Sequence, residues 1–444
     1  MTALPSNARA RDSGPLPRAA RRPVRVVFLN DTARNGGPGR SLHSILRFLD
    51  PAVVERTVVL PRDGAIAELL ARDGVADAMR FEPDLVENPI EPWGRPMERA
   101  DFDAPLPLKG ARLAGNVLKA TRGLARLAAF LRHGGFDLLY CNGTNADFAG
   151  AALARLSGVP ALWHVRYTSV PPAVAGLHRR LAASAGVRRI VCVSRPAAAL
   201  FAHCADKVRV VHNAVDLGQF DPAAVAPTLR AELGLAPGTV VVGSHGRVLR
   251  RKGYVEMIRA ARLVLDRVSH AERGRVAFVV VGDTPEDFRP DHVAECRALA
   301  ASLGIASQVH MLGFRADVRP LVAAFDVAVV PSVYADPLPR SVIESMALGK
   351  PVVAFAVGGV VEMIDGATGD LVPFEPAADR VGASEASVER LASAVLGQIE
   401  DAARRARQGA AARARVVRDF DARAHAARIQ REILEAAGRG EDGQ

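Results

Sequence analysis

Residues 240–253 read Val-Val-Val-Gly-Ser-His-Gly-Arg-Val-Leu-Arg-Arg-Lys-Gly. The apolar run Val240–Gly243 predicts a short buried strand, and the glycines at 246 and 253 bracket a cation-rich loop before a helical stretch. A strand, a loop and a helix in this order form the repeating unit of parallel α/β sheets. The stretch therefore predicts an α/β fold.

The same unit recurs along the chain, and a Pro- and Gly-containing stretch around residues 214–238 interrupts it. The fold class predicted is α/β, with two doubly wound Rossmann-like domains, residues 23–215 and 216–415, facing across a cleft. Ligands of such sheets bind beyond the carboxyl ends of the strands. The strands predicted are Val24–Leu29, Arg56–Leu60, Leu138–Cys141, Ala161–His164, Arg189–Val193, Val240–Gly243, Ala277–Val281, Val309–Leu312, Val327–Val330 and Val352–Phe355.

The formal charge of +10 is concentrated at two places. Residues 1–22 hold five arginines and one aspartate and are predicted to be a disordered basic tail, and residues 404–428 hold eight arginines and two aspartates. A solvated tail and a solvated helix face are the favoured interpretation, and attraction to anionic lipid is the alternative. Nucleic-acid binding is not expected, because aromatic residues are scarce.

The sequence indicates a cytoplasmic protein, with peripheral contact at the inner face of a membrane as the alternative. It has no apolar run long enough for a membrane span and no continuous apolar stretch of the kind found in secretory signals. The four cysteines are not at metal-site spacing, so reduced and mostly buried thiols are expected.

Two charged pairs carry the functional prediction. Arg247 and Lys252 flank the loop after the strand that is expected to end at Gly243, and both are suited to one diphosphate. Asp336 and Glu344 follow the strand Val327–Val330, and Glu344 is predicted to open the next helix. Carboxylates accept hydrogen bonds from vicinal hydroxyls, so the four residues together indicate a site for a nucleotide-activated sugar.

Three further features carry weaker signals. The glycine-rich turn at residues 36–41 would let backbone amides approach an anion at a helix N-terminus. His164 ends a strand and is predicted to face the cleft, although a lone histidine is often structural. For Asn213 and Asp216, turn chemistry is the favoured interpretation.

Taken together in order, these segments resemble the retaining GT-B-fold glycosyltransferases of family four, also called glycosyl transferases group 1. The resemblance covers roughly residues 24–430. It depends on Gly36-Gly37, Val193-Ser194, Val210–Asp216, Gly246-Arg247, Lys252-Gly253, Val281–Asp283, Leu312–Phe314 and Pro331-Ser332 leading to Asp336 and Glu344.

The resemblance implies roles for these residues. It implies a hexosyltransferase-like enzyme that retains the anomeric configuration and needs no cofactor or metal. The first domain would take the acceptor, the second would bind the donor, and a helix at 416–437 would pack back toward the first domain. The catalytic residues implied are His164, Arg247, Lys252 and Asp336. The donor-binding residues implied are Gly37, Arg247, Lys252, Gly282, Leu312, Asp336, Leu338, Pro339, Arg340 and Glu344.

The sequence departs from the family at Asp336 and Pro339. Asp336 stands where glutamate is usual, and Pro339 has no backbone N–H to donate. The sugar, the base and the acceptor stay open, and the acceptor is expected to be a sugar, a lipid-linked compound or a small molecule. The Pro-rich residues 83–108 are either an acceptor-side loop or a disordered excursion. The alternatives are a non-catalytic nucleotide-sugar-binding homologue and a same-fold sugar-phosphate synthase or epimerase.

Overall fold

The computed structural model describes residues 22–33, 36–85, 106–285, 288, 290–378 and 381–439. The first part of the chain forms a parallel sheet of seven strands in the order β3-β2-β1-β4-β5-β6-β7. The strands are β1 (Val24–Asn30), β2 (Val54–Leu60), β3 (Ala78–Phe81), β4 (Leu138–Asn142), β5 (Ala161–Val165), β6 (Val187–Cys192) and β7 (Val208–Val210).

Helices cover both faces of this sheet. They are α1 (Gly37–Phe48), α2 (Ala65–Arg72), α3 (Leu106–Gly134), α4 (Thr144–Ser157), α5 (Pro172–Ala183) and α6 (Arg195–Ala198), followed by a 3-10 helix at Ala199–Lys207. Because both faces are covered, the central strands β4 and β5 are buried along their whole length. Along β5, for example, Trp163 and Val165 enter one core and Leu162 enters the other.

The second part forms a parallel sheet of six strands in the order β10-β9-β8-β11-β12-β13. The strands are β8 (Val240–His245), β9 (Val276–Val281), β10 (Val309–Met311), β11 (Val327–Val330), β12 (Val352–Phe355) and β13 (Gly369–Val372). The helices are α7 (Leu229–Glu232), α8 (Tyr254–Arg267), α9 (His270–Arg273), α10 (His292–Ser302), α11 (Arg319–Val322), α12 (Arg340–Ala347) and α13 (Glu385–Glu400). Two parallel α/β domains confirm the predicted fold class.

The last two helices of the described residues pack on different sheets. Helix α14 (Ala402–Asp419) places Ala412 and Val416 in a core of the second sheet. Helix α15 (Ala422–Ala436) places Ile429 and Ile433 in a core of the first sheet. The chain therefore crosses between the domains beside Asp421, which forms a bridge with Val215. The crossing helix begins at residue 422, six residues later than the sequence predicted, because α14 continues past residue 415.

Parts of the predicted terminal tail and insertion lie outside the described residues, namely 1–21 and 86–105. Residues 106–108 of the insertion belong to α3. Among the described residues, no helix combines the length and apolarity that crossing a membrane requires. All four cysteines are free and buried, as expected.

Candidate active site

The cation loop follows β8, which continues two residues beyond the predicted end at Gly243. Arg247 is exposed on this loop, and a 3-10 turn at Arg250–Lys252 leads into α8. Gly253 has a φ of 76°, and a Cβ on it would lie 1.7 Å from the carbonyl oxygen of Pro331. Only glycine therefore lets the loop approach the chain that leaves β11.

Lys252 and Asp336 are brought into direct contact at the carboxyl edge of this sheet. Lys252 Nζ lies 2.5 Å from Asp336 Oδ2, and the hydroxyl of Tyr334 donates to the same oxygen at 2.9 Å. Burial lowers the pKa of Lys252, but the charge of Asp336 and the neighbouring Tyr334 outweigh it and hold this pKa above its usual value. Lys252 is therefore a fixed cation at neutral pH.

Glu344 lies in the second turn of α12, because the helix begins at Arg340 after Pro339 as its N-cap. The prediction that Glu344 opens the helix is wrong. Its Oε2 lies 3.0 Å from His245 Nε2, and its Oε1 accepts from Arg340 Nε at 3.1 Å. Burial raises the pKa of Glu344, but Arg340 and then the hydrogen bond from His245 outweigh it and lower this pKa to about 2. The carboxylate is therefore ionised and oriented.

Arg340 connects this helix to the other domain. Its Nη1 donates to the carbonyl oxygen of Ala214 at 3.1 Å and to Ser41 Oγ, on α1, at 3.4 Å. The same guanidinium therefore orients Glu344 and contacts two elements across the cleft. This places the predicted donor-binding arginine at the domain interface.

The turn of residues 335–338, called the acidic turn because it carries Asp336, rests on two glycines that the sequence analysis missed. A Cβ on Gly358, whose φ is 67°, would lie 2.4 Å from the carbonyl oxygen of Asp336, and one on Gly359 would lie 1.8 Å from that of Pro337. Gly359 N also donates to the Asp336 carbonyl at 2.8 Å. Within the turn, Leu338 is buried in the core, and this anchors it from below. The Gly-Gly pair after the strand Val352–Phe355 was the available signal.

Gly282 and Leu312 form the neighbouring rim of the second domain. Gly282 N donates to the carbonyl oxygen of Gly313 at 2.9 Å, and Leu312 N donates to that of Val280 at 2.9 Å. A Cβ on Gly282 would lie 1.8 Å from the carbonyl oxygen of Gly246. The loops after β8, β9 and β10 therefore meet at one place, beside exposed Arg247.

His164 lies in β5 of the first sheet and is fully buried. Its Nδ1 accepts hydrogen bonds from the hydroxyl of Tyr140 and, at 3.3 Å, from Arg166 Nη2. Nε2 then carries the proton, and within the described part of the chain it has no hydrogen-bond partner. Burial and then Arg166 lower the pKa of His164 well below its usual value. Because none of this side chain is exposed, a sugar in the cleft cannot contact it in this arrangement.

Gly37 begins α1 and is exposed, and a Cβ on it would meet no atom of the described residues within 4 Å. The start of this helix is fixed by Asn142, whose Nδ2 donates to the carbonyl oxygen of Pro38 at 3.2 Å and to Asn30 Oδ1 at 2.6 Å. The helix N-terminus therefore lies at the carboxyl edge of the first sheet, and the anion site at Gly37 stays a prediction.

Asn213 and Asp216 have different roles. Asp216 Oδ1 accepts from the backbone of Gly218 at 2.9 Å, which is the turn chemistry predicted. Asn213 instead accepts from Arg166 Nη1 at 2.6 Å and donates to the carbonyl oxygen of Leu338 at 3.1 Å. Arg166, which the sequence analysis did not select, thus joins the first domain to the acidic turn. Among the described residues, no group of three or more His, Cys, Asp or Glu is placed to hold a metal ion.

Two sequence families match this chain in adjacent parts. The profile of the family described as Glycosyltransferase Family 4 matches residues 35–219, and that described as Glycosyl transferases group 1 matches residues 237–400. The first match covers most of the domain that carries His164, and the second covers the domain that carries Lys252, Asp336 and Glu344.

The chain spans about half the length of the curated relatives that it matches. Alpha-maltose-1-phosphate synthase of Mycobacterium tuberculosis is 34% identical over 219 residues, which cover 48% of this chain and 53% of that protein. D-inositol 3-phosphate glycosyltransferase of Streptomyces scabiei is 31% identical over 285 residues, which cover 58% of this chain and 61% of that protein.

Solved structures share the fold over nearly the whole chain. Anabaena Alr3699/HepE in complex with UDP-glucose has a TM-score of 0.71 at 24% identity, covering 93% of this chain and 99% of that one. Sucrose-phosphate synthase from Thermosynechococcus elongatus has a TM-score of 0.68 at 18% identity, covering 91% and 97%.

Proposed function

The chain belongs to the GT-B-fold glycosyltransferases of family four, also called glycosyl transferases group 1, and we propose that it transfers a sugar from a nucleoside-diphosphate sugar to an acceptor hydroxyl. The observation that supports this most directly is the cluster of Lys252, Asp336 and Glu344 at the carboxyl edge of the second sheet. A fixed cation suits the diphosphate, and two oriented carboxylates suit hydroxyl groups.

In the proposed complex, the diphosphate lies between the loop of Arg247 and the ammonium of Lys252. Negative charge grows on the diphosphate as the sugar leaves, so two cations already in place stabilise the transition state. Lys252 exchanges part of its contact with Asp336 for the phosphate oxygens. The base lies against the rim formed by Gly282 and Leu312.

The two carboxylates bind hydroxyls in this proposal. Among the described residues, each oxygen of Glu344 accepts one hydrogen bond and has lone pairs left for the ribose hydroxyls. Asp336 contacts the transferred sugar through the oxygen that Lys252 and Tyr334 leave open. Because its other oxygen is held by a cation, Asp336 is suited to binding, not to acting as a base.

Retention of the anomeric configuration and independence from metals are further parts of the proposal. The leaving phosphate would take the proton of the acceptor hydroxyl, and Arg247 and Lys252 would supply the countercharge. Because His164 is buried, we assign it no contact with the sugar. NMR of the first product formed tests retention, and turnover in the presence of EDTA tests metal independence.

A sugar phosphate is the second candidate acceptor, since two relatives are named as an alpha-maltose-1-phosphate synthase and a D-inositol 3-phosphate glycosyltransferase. Mass spectrometry of reactions with matched free and phosphorylated sugars distinguishes the candidates. If neither acceptor class gives a product and no donor is hydrolysed, the result favours a non-catalytic homologue.

Peripheral membrane contact is a separate proposal. Of the basic residues in α14, Arg404 pairs with Asp370, and Arg405 caps the carbonyl oxygens of Gln398 and Ile399. Arg407 is exposed on the same helix and is the residue to test. Sedimentation with anionic vesicles should weaken in Arg407→Glu, and equal sedimentation of both proteins contradicts the proposal.

A further inference from the structure

Three consecutive residues after β5 contact three different parts of the molecule. The guanidinium of Arg166 donates from Nε to Asn142 Oδ1 at 2.9 Å, from Nη1 to Asn213 Oδ1 at 2.6 Å and from Nη2 to His164 Nδ1 at 3.3 Å. All three acceptors are buried. Burial lowers the pKa of Arg166 to about 10, so the group stays charged at neutral pH.

The contacts of Arg166 continue into the second domain. Asn213 accepts from Arg166 and donates through Nδ2 to the carbonyl oxygen of Leu338 at 3.1 Å. Beside it, Thr168 Oγ1 donates to the carbonyl oxygen of Ala335 at 2.6 Å. The two links reach the acidic turn on either side of Asp336, so they fix the position of the turn relative to β5.

Tyr167 holds the same loop from the other side. Its hydroxyl donates to Asp147 Oδ2, on α4, at 2.9 Å. A hydroxyl has one proton, so the contact with His178 Nε2, on α5, at 2.8 Å is a hydrogen bond that the histidine donates. The loop is therefore anchored to two helices of the first domain. Its contacts with the turn then hold the turn in a fixed position relative to that domain.

We propose that Arg166 is a positioning residue for sugar transfer: through Asn213 it sets the turn of residues 335–338, and with it the carboxylate of Asp336, relative to the acceptor side of the cleft. This inference rests on the proposed function. The cation and ribose contacts come from Lys252 and Glu344, which lie in the second domain alone. Arg166 therefore acts on the alignment of the two substrates and leaves nucleotide binding intact.

Steady-state kinetics separate these effects. Arg166→Met keeps the length of the side chain and removes its hydrogen bonds, and it should lower kcat about 100-fold, the loss typical of a 1 Å misalignment, while the donor KM changes less than about threefold. Arg166→Lys supplies one bond in place of three and should recover a part of kcat. Asn213→Ala leaves the arginine in place and should lower kcat to a similar degree. The double variant should have a kcat no lower than that of the poorer single variant, because both substitutions break the same link to the turn.

A matched control is available in Arg56. This buried arginine of β2 pairs with Asp77 and donates to the carbonyl oxygen of Leu46, and neither partner belongs to the turn of residues 335–338. Arg56→Met should lower the melting temperature and leave kcat unchanged. If wild type turns over its donor and both Arg166→Met and Asn213→Ala keep the wild-type kcat, the positioning role is overturned alone. If wild type turns over no nucleotide sugar, the proposed function is overturned, and the role of Arg166 with it.

Discussion

Lys252 and Asp336 are separated by 84 positions in the sequence, and their side chains meet at 2.5 Å. The cation proposed for the diphosphate is thus held by the carboxylate proposed for the sugar. A bound donor must therefore draw Lys252 partly away from Asp336 toward the diphosphate. Tyr334 donates to the same carboxylate oxygen and keeps it in place when Lys252 turns toward phosphate.

Replacing Lys252 tests the diphosphate site. Lys252→Met should reduce kcat/KM by about 100-fold or more, corresponding to about 3 kcal/mol of lost transition-state stabilisation, with an unchanged circular dichroism spectrum. Lys350→Met is the control, since this lysine precedes β12 at the opposite edge of the sheet. Equal losses in the two variants would assign the effect to general charge and remove the specific role of Lys252.

Replacing Glu344 tests the ribose contact. The wild type should bind its preferred nucleoside diphosphate more tightly than the 2′-deoxy analogue, because the analogue has one hydroxyl fewer to donate. Glu344→Gln keeps the shape of the side chain and removes its charge, so it should weaken binding and reduce this discrimination. Isothermal titration of both nucleotides measures the effect. A variant that discriminates as well as the wild type contradicts the ribose role.

Gly359 tests the support of the acidic turn. The added methyl group of Gly359→Ala would overlap the carbonyl oxygen of Pro337, so the turn must shift, at a typical cost of about 1–3 kcal/mol. Turnover should fall at least about tenfold, and the melting temperature should fall as well. At Gly366 an added Cβ meets no atom of the described part of the chain within 4 Å, so Gly366→Ala is the control and should resemble the wild type.

Buried histidines predict loss of stability in acid. Burial lowers the pKa of His178 to about 4 and that of His425 to about 3, against an unfolded value of 6.5. Below pH 6.5 the unfolded chain binds more protons than the folded protein, so the free energy of unfolding falls as the pH decreases toward 4. Each such proton contributes a slope of about 1.4 kcal/mol per pH unit. Denaturant titrations of His178→Phe should show a shallower slope between pH 6 and 4, and an unchanged slope contradicts a neutral His178.

The sequence was sufficient for the sheets and for the edge at which the site lies. Short apolar strands followed by helices indicated parallel sheets, and the carboxyl ends of parallel strands lie at one edge, which places Lys252 and Asp336 on the same side of the sheet. The direct contact between the two side chains was not predicted. The start of α12 was misplaced because Pro339 was not treated as a residue that precedes a helix. Glu344 therefore lies about one helical turn further along α12 than expected.

The contacts of Arg166 could not be found in this way. Arg166 meets Asn213 across 47 positions, and Asn213 meets Leu338 across 125. Neither pair has a local pattern, because Arg166 and Asn213 meet only in the folded first domain and Asn213 meets Leu338 only when the two domains face each other. His164 was placed correctly at a strand end, but the direction of its side chain depends on the packing of α15 beneath it, where His425 lies with its ring 6.4 Å away.

The central claim is that Lys252, Asp336 and Glu344 form a nucleotide-sugar site. A thermal-shift panel of nucleoside diphosphates and their sugars, on wild type and on Lys252→Ala, tests it most directly. The account predicts that one nucleotide class raises the melting temperature of the wild type and that the increase is lost in the variant. Equal stabilisation of both proteins, or stabilisation of neither by any nucleotide, would contradict it.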